Sequence, residues 1–264
     1  LGTSKLSTGG KDSSMIIAGH GFVGKAYELL FKDHRREIEI HDPPKGMTAD
    51  FDCASAVVVC VPTPQHNDGS CDMSAVYATV ALCKTSTPIM IKSTISLQGW
   101  QNLKHRFPEH QLCFSPEFLR AANFMNDIKN LDSVILSGDV DYWRDQYSYN
   151  WPDVKQYIVE PAEAIAIKYF RNAFLATKVS FFNEIYDFCN AYNIDYEQVR
   201  SGVAVDNRIG ESHTYVWPEQ GIRGWGGYCF PKDTCALLKM ANEQNINLNT
   251  LEAATQYNKK IKNS

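Results

Sequence analysis

The chain has 264 residues, enough for one large core or two moderate ones. Its formal net charge of −4, and the absence of basic runs interleaved with aromatics, give no reason to expect nucleic acid as a partner. No apolar segment approaches bilayer-spanning length, so no membrane partner is expected either.

Leu1 to Ser14 (residues 1–14) are rich in Gly, Ser, Thr and Lys and lack an apolar core, which predicts a leader or disordered tail. Met15 to Ala18 reads as a short buried strand. It runs into Gly19-His20-Gly21-Phe22-Val23-Gly24, then a helical stretch to Lys32, then a second strand, Ile38 to His41, that stops at Asp42. A strand, a G-x-G-x-x-G turn, a helix and a second strand ending in an acid form the dinucleotide-binding pattern. Gly19 permits the tight turn, Gly21 lets a pyrophosphate approach the backbone, and Gly24 lets the helix pack closely. Phosphates then face the helix N-terminus, with Phe22 and Val23 in its first turn. Asp42 accepts hydrogen bonds from a ribose diol and repels a 2′-phosphate, so the cofactor is read as NAD rather than NADP. Lys45, Val61, Pro62, Thr63 and Thr94 complete the expected cofactor contacts.

The alternation of strands and helices continues beyond Asp42. Ala56 to Val61 is a β-branched apolar run ending in Pro62-Thr63-Pro64, as expected of a strand buried on both faces. A helix from Met73 to Lys84 capped by Asp72, a strand Ile89–Ile91, a helix Gln98–Phe107 and a strand Leu112–Phe114 follow. Ser133–Leu136 and Tyr157–Val159 read as the last strands, and Tyr142 to Asp153 has no readable period. Three loops after strands carry polar groups: Thr63, Ser93 with Thr94, and Glu117. In an open sheet such loops line the ligand crevice. Ala162 to Ala191 reads as one long helix with an apolar stripe at Ile167, Phe170, Phe174, Phe181, Ile185 and Phe188, suited to helix or subunit packing. Shorter helices are expected at Tyr196–Val205, Thr234–Glu243 and Leu248–Ile261. The domain expectation is an α/β, doubly wound parallel sheet over residues 15–159, then an all-helical domain over residues 160–264.

The eight cysteines show no C-x-x-C spacing, so free thiols in a cytoplasmic protein and no metal site are expected. Cys229 stands apart. It sits in Gly224-Trp225-Gly226-Gly227-Tyr228-Cys229-Phe230-Pro231-Lys232-Asp233, between glycines and a helix start that Pro231 favours. The positive helix end and Lys232 both favour a thiolate there, which prepares a nucleophile. On the long helix, Lys168 and Asn172 lie one turn apart on the same face. Lys178 and Asn183 read equally as ligand contacts or surface groups.

Taken in order, G-H-G-F-V-G, V-P-T-P (Val61–Pro64), K-S-T (Lys92–Thr94), S-P-E-F-L-R (Ser115–Arg120), K-Y-F-R-N onward from Lys168 to Glu184, D-N-R-I-G (Asp206–Gly210) and G-W-G-G-Y-C-F-P-K-D resemble the UDP-glucose/GDP-mannose dehydrogenase family. The resemblance implies NAD-dependent, four-electron oxidation of the C6 alcohol of a sugar nucleotide, with UDP-glucose to UDP-glucuronate as the first expectation. It implies that Cys229 captures the aldehyde as a thiohemiacetal and carries a thioester. Lys168 and Asn172 would then stabilise the oxyanion, Asp233 would orient water or assist proton transfer, and Glu117 with Thr94 would serve hydrolysis. It further implies substrate contacts at Glu117, Phe118, Leu119, Arg120, Lys168, Asn172, Arg208 and Gly226, and a homodimer through the long helix.

The chain departs from the family in three ways. Ala121-Ala122 follow E-F-L-R where an acid and a glycine are usual, and Ile165 stands where an acid usually precedes the helix lysine. The usual second α/β domain is missing before the end at Ser264, which reads as a truncated or naturally short member. The other readings are a two-electron 3-hydroxyacid-type dehydrogenase, which would not need Cys229, and a non-catalytic NAD-binding member.

Overall fold

The computed structural model describes residues 14–32, 37–66, 70–216, 223–227 and 229–262. The expected leader, apart from Ser14, and Tyr228 of the cysteine motif lie outside the described residues. The chain divides into two compact units: Leu1–Thr63 with Cys71–Ile165, and Pro64–Ser70 with Ala166–Ser264.

The first unit is built on seven strands: β1 (Ser14–Ala18), β2 (Ile38–His41), β3 (Ala54–Val59), β4 (Ile89–Ile91), β5 (Leu112–Phe114), β6 (Ser133–Gly138) and β7 (Lys155–Ile158). They stand in the order β2-β1-β3-β4-β5-β6-β7. Its helices are α1 (Phe22–Lys32), α2 (Ser74–Leu82), α3 (Leu97–Arg106), α4 (Phe124–Lys129) and α5 (Asp141–Asn150). The runs Met15–Ala18, Ala56–Val59 and Ile89–Ile91 are wholly buried, as continuous apolar strands between helical layers must be. Ser14, assigned to the leader by composition, is buried as the first residue of β1, and its hydroxyl donates to Glu39 Oε1 at 2.7 Å.

Strands β2, β1, β3, β4 and β5 pair in parallel, but β6 pairs antiparallel to β5, and β7 follows β6. The expected doubly wound parallel sheet is thus present, with a single antiparallel step between β5 and β6. Tyr142 to Asp153, which showed no readable period, contains most of α5, whose Trp143 and Tyr147 point inward one turn apart.

The second unit contains most of α6 (Pro161–Ala191), with α7 (Tyr196–Ala204), α8 (Cys229–Glu243) and α9 (Asn249–Lys262). On α7, Asp195 accepts from the backbone of Glu197 and Gln198, an N-cap that offsets orphan donors. Helix α8 begins at Cys229 itself, two residues before the proline expected to open it.

Candidate active site

In the first unit the chain turns one way from β1 to β2 and the other way to β3, so a crevice opens at the carboxyl ends of β1 and β3. Gly19 sits there with φ +87°. Its N–H donates to the His41 carbonyl at 2.8 Å, and a Cβ on it would stand 2.6 Å from the Cys60 carbonyl oxygen. Only glycine fits between the ends of β2 and β3. A Cβ at Gly24 would stand within bonding distance of the Gly19 carbonyl oxygen, so α1 packs directly on the turn. Gly21 differs: a side chain there would meet nothing within 4 Å. Packing does not require that glycine, whereas close approach of a ligand to the backbone does.

Asp42 ends β2 and is tied to this turn. Its Oδ2 accepts the His20 N–H at 2.9 Å and lies 2.9 Å from Lys45 Nζ, which also donates to the His20 carbonyl at 2.6 Å. Burial pushes the Asp42 carboxyl up, but the Lys45 and His20 donors outweigh it and hold it below the usual carboxylate range. The sites expected for a dinucleotide's phosphates and ribose thus form one bonded unit, and these residues fit the cofactor. Of the remaining expected contacts, Thr63 is buried and Val61 half-buried, while Pro62 is exposed. The Val61 carbonyl accepts from Ser93 Oγ at 2.7 Å, and the carbonyls of Thr63 and Thr94 accept from Cys71 Sγ at 3.7 and 3.3 Å. Phe22 packs its ring toward Phe124, and Val23 lies against the core.

Glu117 follows β5. Its Oε1 accepts the N–H groups of Phe118 at 2.7 Å and Leu119 at 2.9 Å. Its Oε2 is 3.5 Å from Lys92 Nζ, a fully buried ammonium that also donates to Ser115 Oγ at 3.0 Å and lies 4.7 Å from the Tyr27 ring centre. Burial lowers the Lys92 pKa, with Glu117 opposing that shift, and pushes the Tyr27 hydroxyl upward. Lys92, Tyr27 and Ser115 were missed as site residues. The available signal was a lysine directly after a strand with no polar residue, a poor place for a solvated side chain. Arg120 is exposed and forms a two-point contact with Asp127, and Arg208 is exposed and pairs with Asp206.

In the second unit, Lys168 and Asn172 are both buried on α6 and meet Asp233 of α8. Asn172 Nδ2 donates to Asp233 Oδ2 at 2.6 Å, Lys168 Nζ stands 3.9 Å from the same oxygen, and Lys232 Nζ donates to Oδ1 at 2.5 Å. Asp233 lies one helical turn after Cys229, so the thiol and the carboxylate share a face of α8 at its positive end. The half-buried Lys232, expected to act on the thiol, is bonded to Asp233. Gly226 precedes α8, where a Cβ would come 2.6 Å from Lys262 Nζ. Lys178 and Asn183 serve structure: Lys178 donates to the carbonyls of Ile209 and Gly210, and Asn183 accepts the Gly224 N–H.

These features define a dinucleotide-binding α/β unit and a helical unit in which a cysteine and a buried cation–carboxylate cluster share one helix face. Residues 44–145 match the NAD binding domain of the UDP-glucose/GDP-mannose dehydrogenase family, and residues 162–260 match its central domain. The chain belongs to that family, and NAD is the cofactor for which its first unit is built. It is 29% identical over 241 residues to a UDP-glucose 6-dehydrogenase of Haloferax volcanii, covering 80% of this chain and 54% of that protein. It is 31% identical over 229 residues to a UDP-glucose 6-dehydrogenase of Pseudomonas aeruginosa, covering 79% and 49%. The chain therefore spans about half the length of the curated relatives it matches. In fold it resembles a UDP-glucose dehydrogenase structure from Pyrobaculum islandicum, with a TM-score of 0.79 at 21% identity, over 97% of this chain and 70% of that one.

Proposed function

We propose that the protein to which this chain belongs oxidises the C6 alcohol of a sugar nucleotide to the carboxylate, UDP-glucose to UDP-glucuronate, through a covalent adduct at Cys229. Bound NAD would take the hydride in each of two oxidations. The first unit would hold it through Gly19, Gly21 and Gly24 at the pyrophosphate and Asp42 at the ribose. The Cys229 sulfur would add to the intermediate aldehyde, giving a thiohemiacetal whose oxidation leaves a thioester. Lys168 and Asn172 would donate to the oxygen that becomes negative as the sulfur adds. Glu117 with Thr94 would hold the water that cleaves the thioester, releasing the acid and the thiol. Phe118, Leu119, Arg120, Arg208 and Gly226 are the further substrate contacts of this reading.

The observation that carries it is the Lys168–Asn172–Asp233 cluster on the same face of α8 as Cys229. Lys168, Lys232 and Asn172 all direct donors at one carboxylate, so donor groups are already gathered where an anion would develop. The test is NADH formation with UDP-glucose by the natural full-length protein. Two NADH per sugar, lost in Cys229→Ser, is the expected result. One NADH per substrate, or full activity in Cys229→Ala, refutes the mechanism.

The same proposal makes the protein a homodimer. Phe170, Phe174, Phe181 and Phe188 on α6 are each more than half exposed at spacings of four and seven, a stripe suited to a second copy of the helix. All eight cysteines are free, which favours a reducing, cytoplasmic location. No helix among the described residues is long and apolar enough to cross a membrane.

A further inference from the structure

Residues 223–227, shortly before Cys229, include three glycines and have no regular structure, so their path must be imposed from outside. Much of that constraint comes from one buried amide on the last helix. The Trp225 N–H donates to Asn258 Oδ1 at 2.7 Å, and Asn258 Nδ2 donates back to the Trp225 carbonyl at 3.0 Å. Both residues are buried. The indole Nε1 of Trp225 donates to Ser180 Oγ at 2.9 Å, and that hydroxyl donates to the Ala254 carbonyl at 3.0 Å. The Gly224 N–H donates to Asn183 Oδ1 at 3.1 Å. Gly224 has φ +68°, and a Cβ on it would stand 2.2 Å from Asn258 Oδ1. The backbone is thus shaped around the amide, and the amide fills the space a side chain would take.

Two opposed hydrogen bonds from one rigid amide fix both the position and the direction of the residue they hold. Trp225 is four residues before Cys229, which opens α8. We propose that Asn258 is a positioning residue for Cys229, setting through Trp225 where α8 begins and how the thiol is presented. This rests on the reading of Cys229 as the nucleophile. Removing the amide strands the buried Trp225 N–H, leaves its carbonyl with only the 3.4 Å contact to Lys262 Nζ, and releases the glycines to other paths.

The test follows alkylation by iodoacetamide in the 264-residue chain from pH 6 to pH 9, resolved by peptide mass mapping. The rate at Cys229 is read against exposed Cys235 as an internal reference. Asn258→Leu and Gly224→Ala should change the Cys229:Cys235 ratio by about threefold or more, because the presentation of the thiol is lost. Asn258→Asp keeps the acceptor for the Trp225 N–H and should recover part of the wild-type ratio. Thr255→Val, which removes a buried hydroxyl elsewhere on α9, should leave the ratio unchanged. An Asn258→Leu chain that melts like Thr255→Val and keeps the wild-type ratio overturns the proposal. If Asn258→Leu does not fold, unchanged ratios in both Gly224→Ala and Asn258→Asp overturn it equally. Full NADH formation with UDP-glucose by Cys229→Ala in the natural full-length protein instead removes the nucleophile reading on which the proposal stands.

Discussion

Each unit of this chain buries a lysine beside an acid, and the two arrangements differ in the partners of that acid. In the first unit Lys92 faces a single carboxylate, Glu117, with the Ser115 hydroxyl and the Tyr27 ring completing its surroundings. In the second unit Asp233 is shared between Lys168 and Lys232, with Asn172 adding a neutral donor. Several donors converging on one buried carboxylate suit a site where an oxygen becomes negative, whereas the Lys92–Glu117 pair also ties the loop after β5 through the Phe118 and Leu119 N–H groups.

The comparison breaks most visibly at Asp233. Asp233→Leu removes the buried carboxylate that Lys168, Lys232 and Asn172 share, and stability should fall by about 3–5 kcal/mol in a urea titration. Lys168→Met is the converse: Lys232 still neutralises Asp233, so the urea midpoint should move little. In the full-length protein, turnover with UDP-glucose should nevertheless fall by about 100-fold, since one oxyanion donor is lost. Similar stability losses in the two variants would mean that the arrangement of partners does not separate the roles.

Lys92 and Glu117 should behave as a pair. Lys92→Met should cost about 2–3 kcal/mol by leaving Glu117 without its cation, and adding Glu117→Gln should recover about 1–2 kcal/mol of that. Strict additivity in the double-mutant cycle would sink the pairing. An effect confined to high pH lies beside it. Burial pushes the Cys113 thiol up to about 12, from an unfolded value of 9.0. A raised thiol stays protonated in the fold while the unfolded chain ionises, so stability is intact below pH 9 and declines as pH climbs toward 12. The slope should be about −1.4 kcal/mol per pH unit from this thiol, and Cys113→Val should remove that share.

Periodicity and punctuation located the strands around the crevice and the long helix, because continuous apolar runs and a stretch almost free of Gly and Pro permit few other structures. They did not locate α5, where inward Trp143 and Tyr147 alternate with outer Tyr149, so aromatic side chains occupy both faces. Cys229, Lys168, Asn172 and Asp233 were legible as candidates from the cysteine motif, helical spacing and the family resemblance, and Asp42 from its place after β2. Lys92 and Asn258 were not. Lys92 follows an apolar strand and Asn258 stands among polar helix residues, and only the fold reveals that their partners are a distant carboxylate and a distant backbone.

The contact between Asp42 and Lys45 has a consequence for redesign. A dinucleotide phosphorylated on its ribose needs a cation where this chain presents an acid, and that cation already stands three positions away, engaged by the acid itself. Exchanging Asp42 for serine would remove the repulsion and release the ammonium in one step. With Asp42 at the ribose as proposed, the preference between the two common nicotinamide coenzymes would rest on one carboxylate.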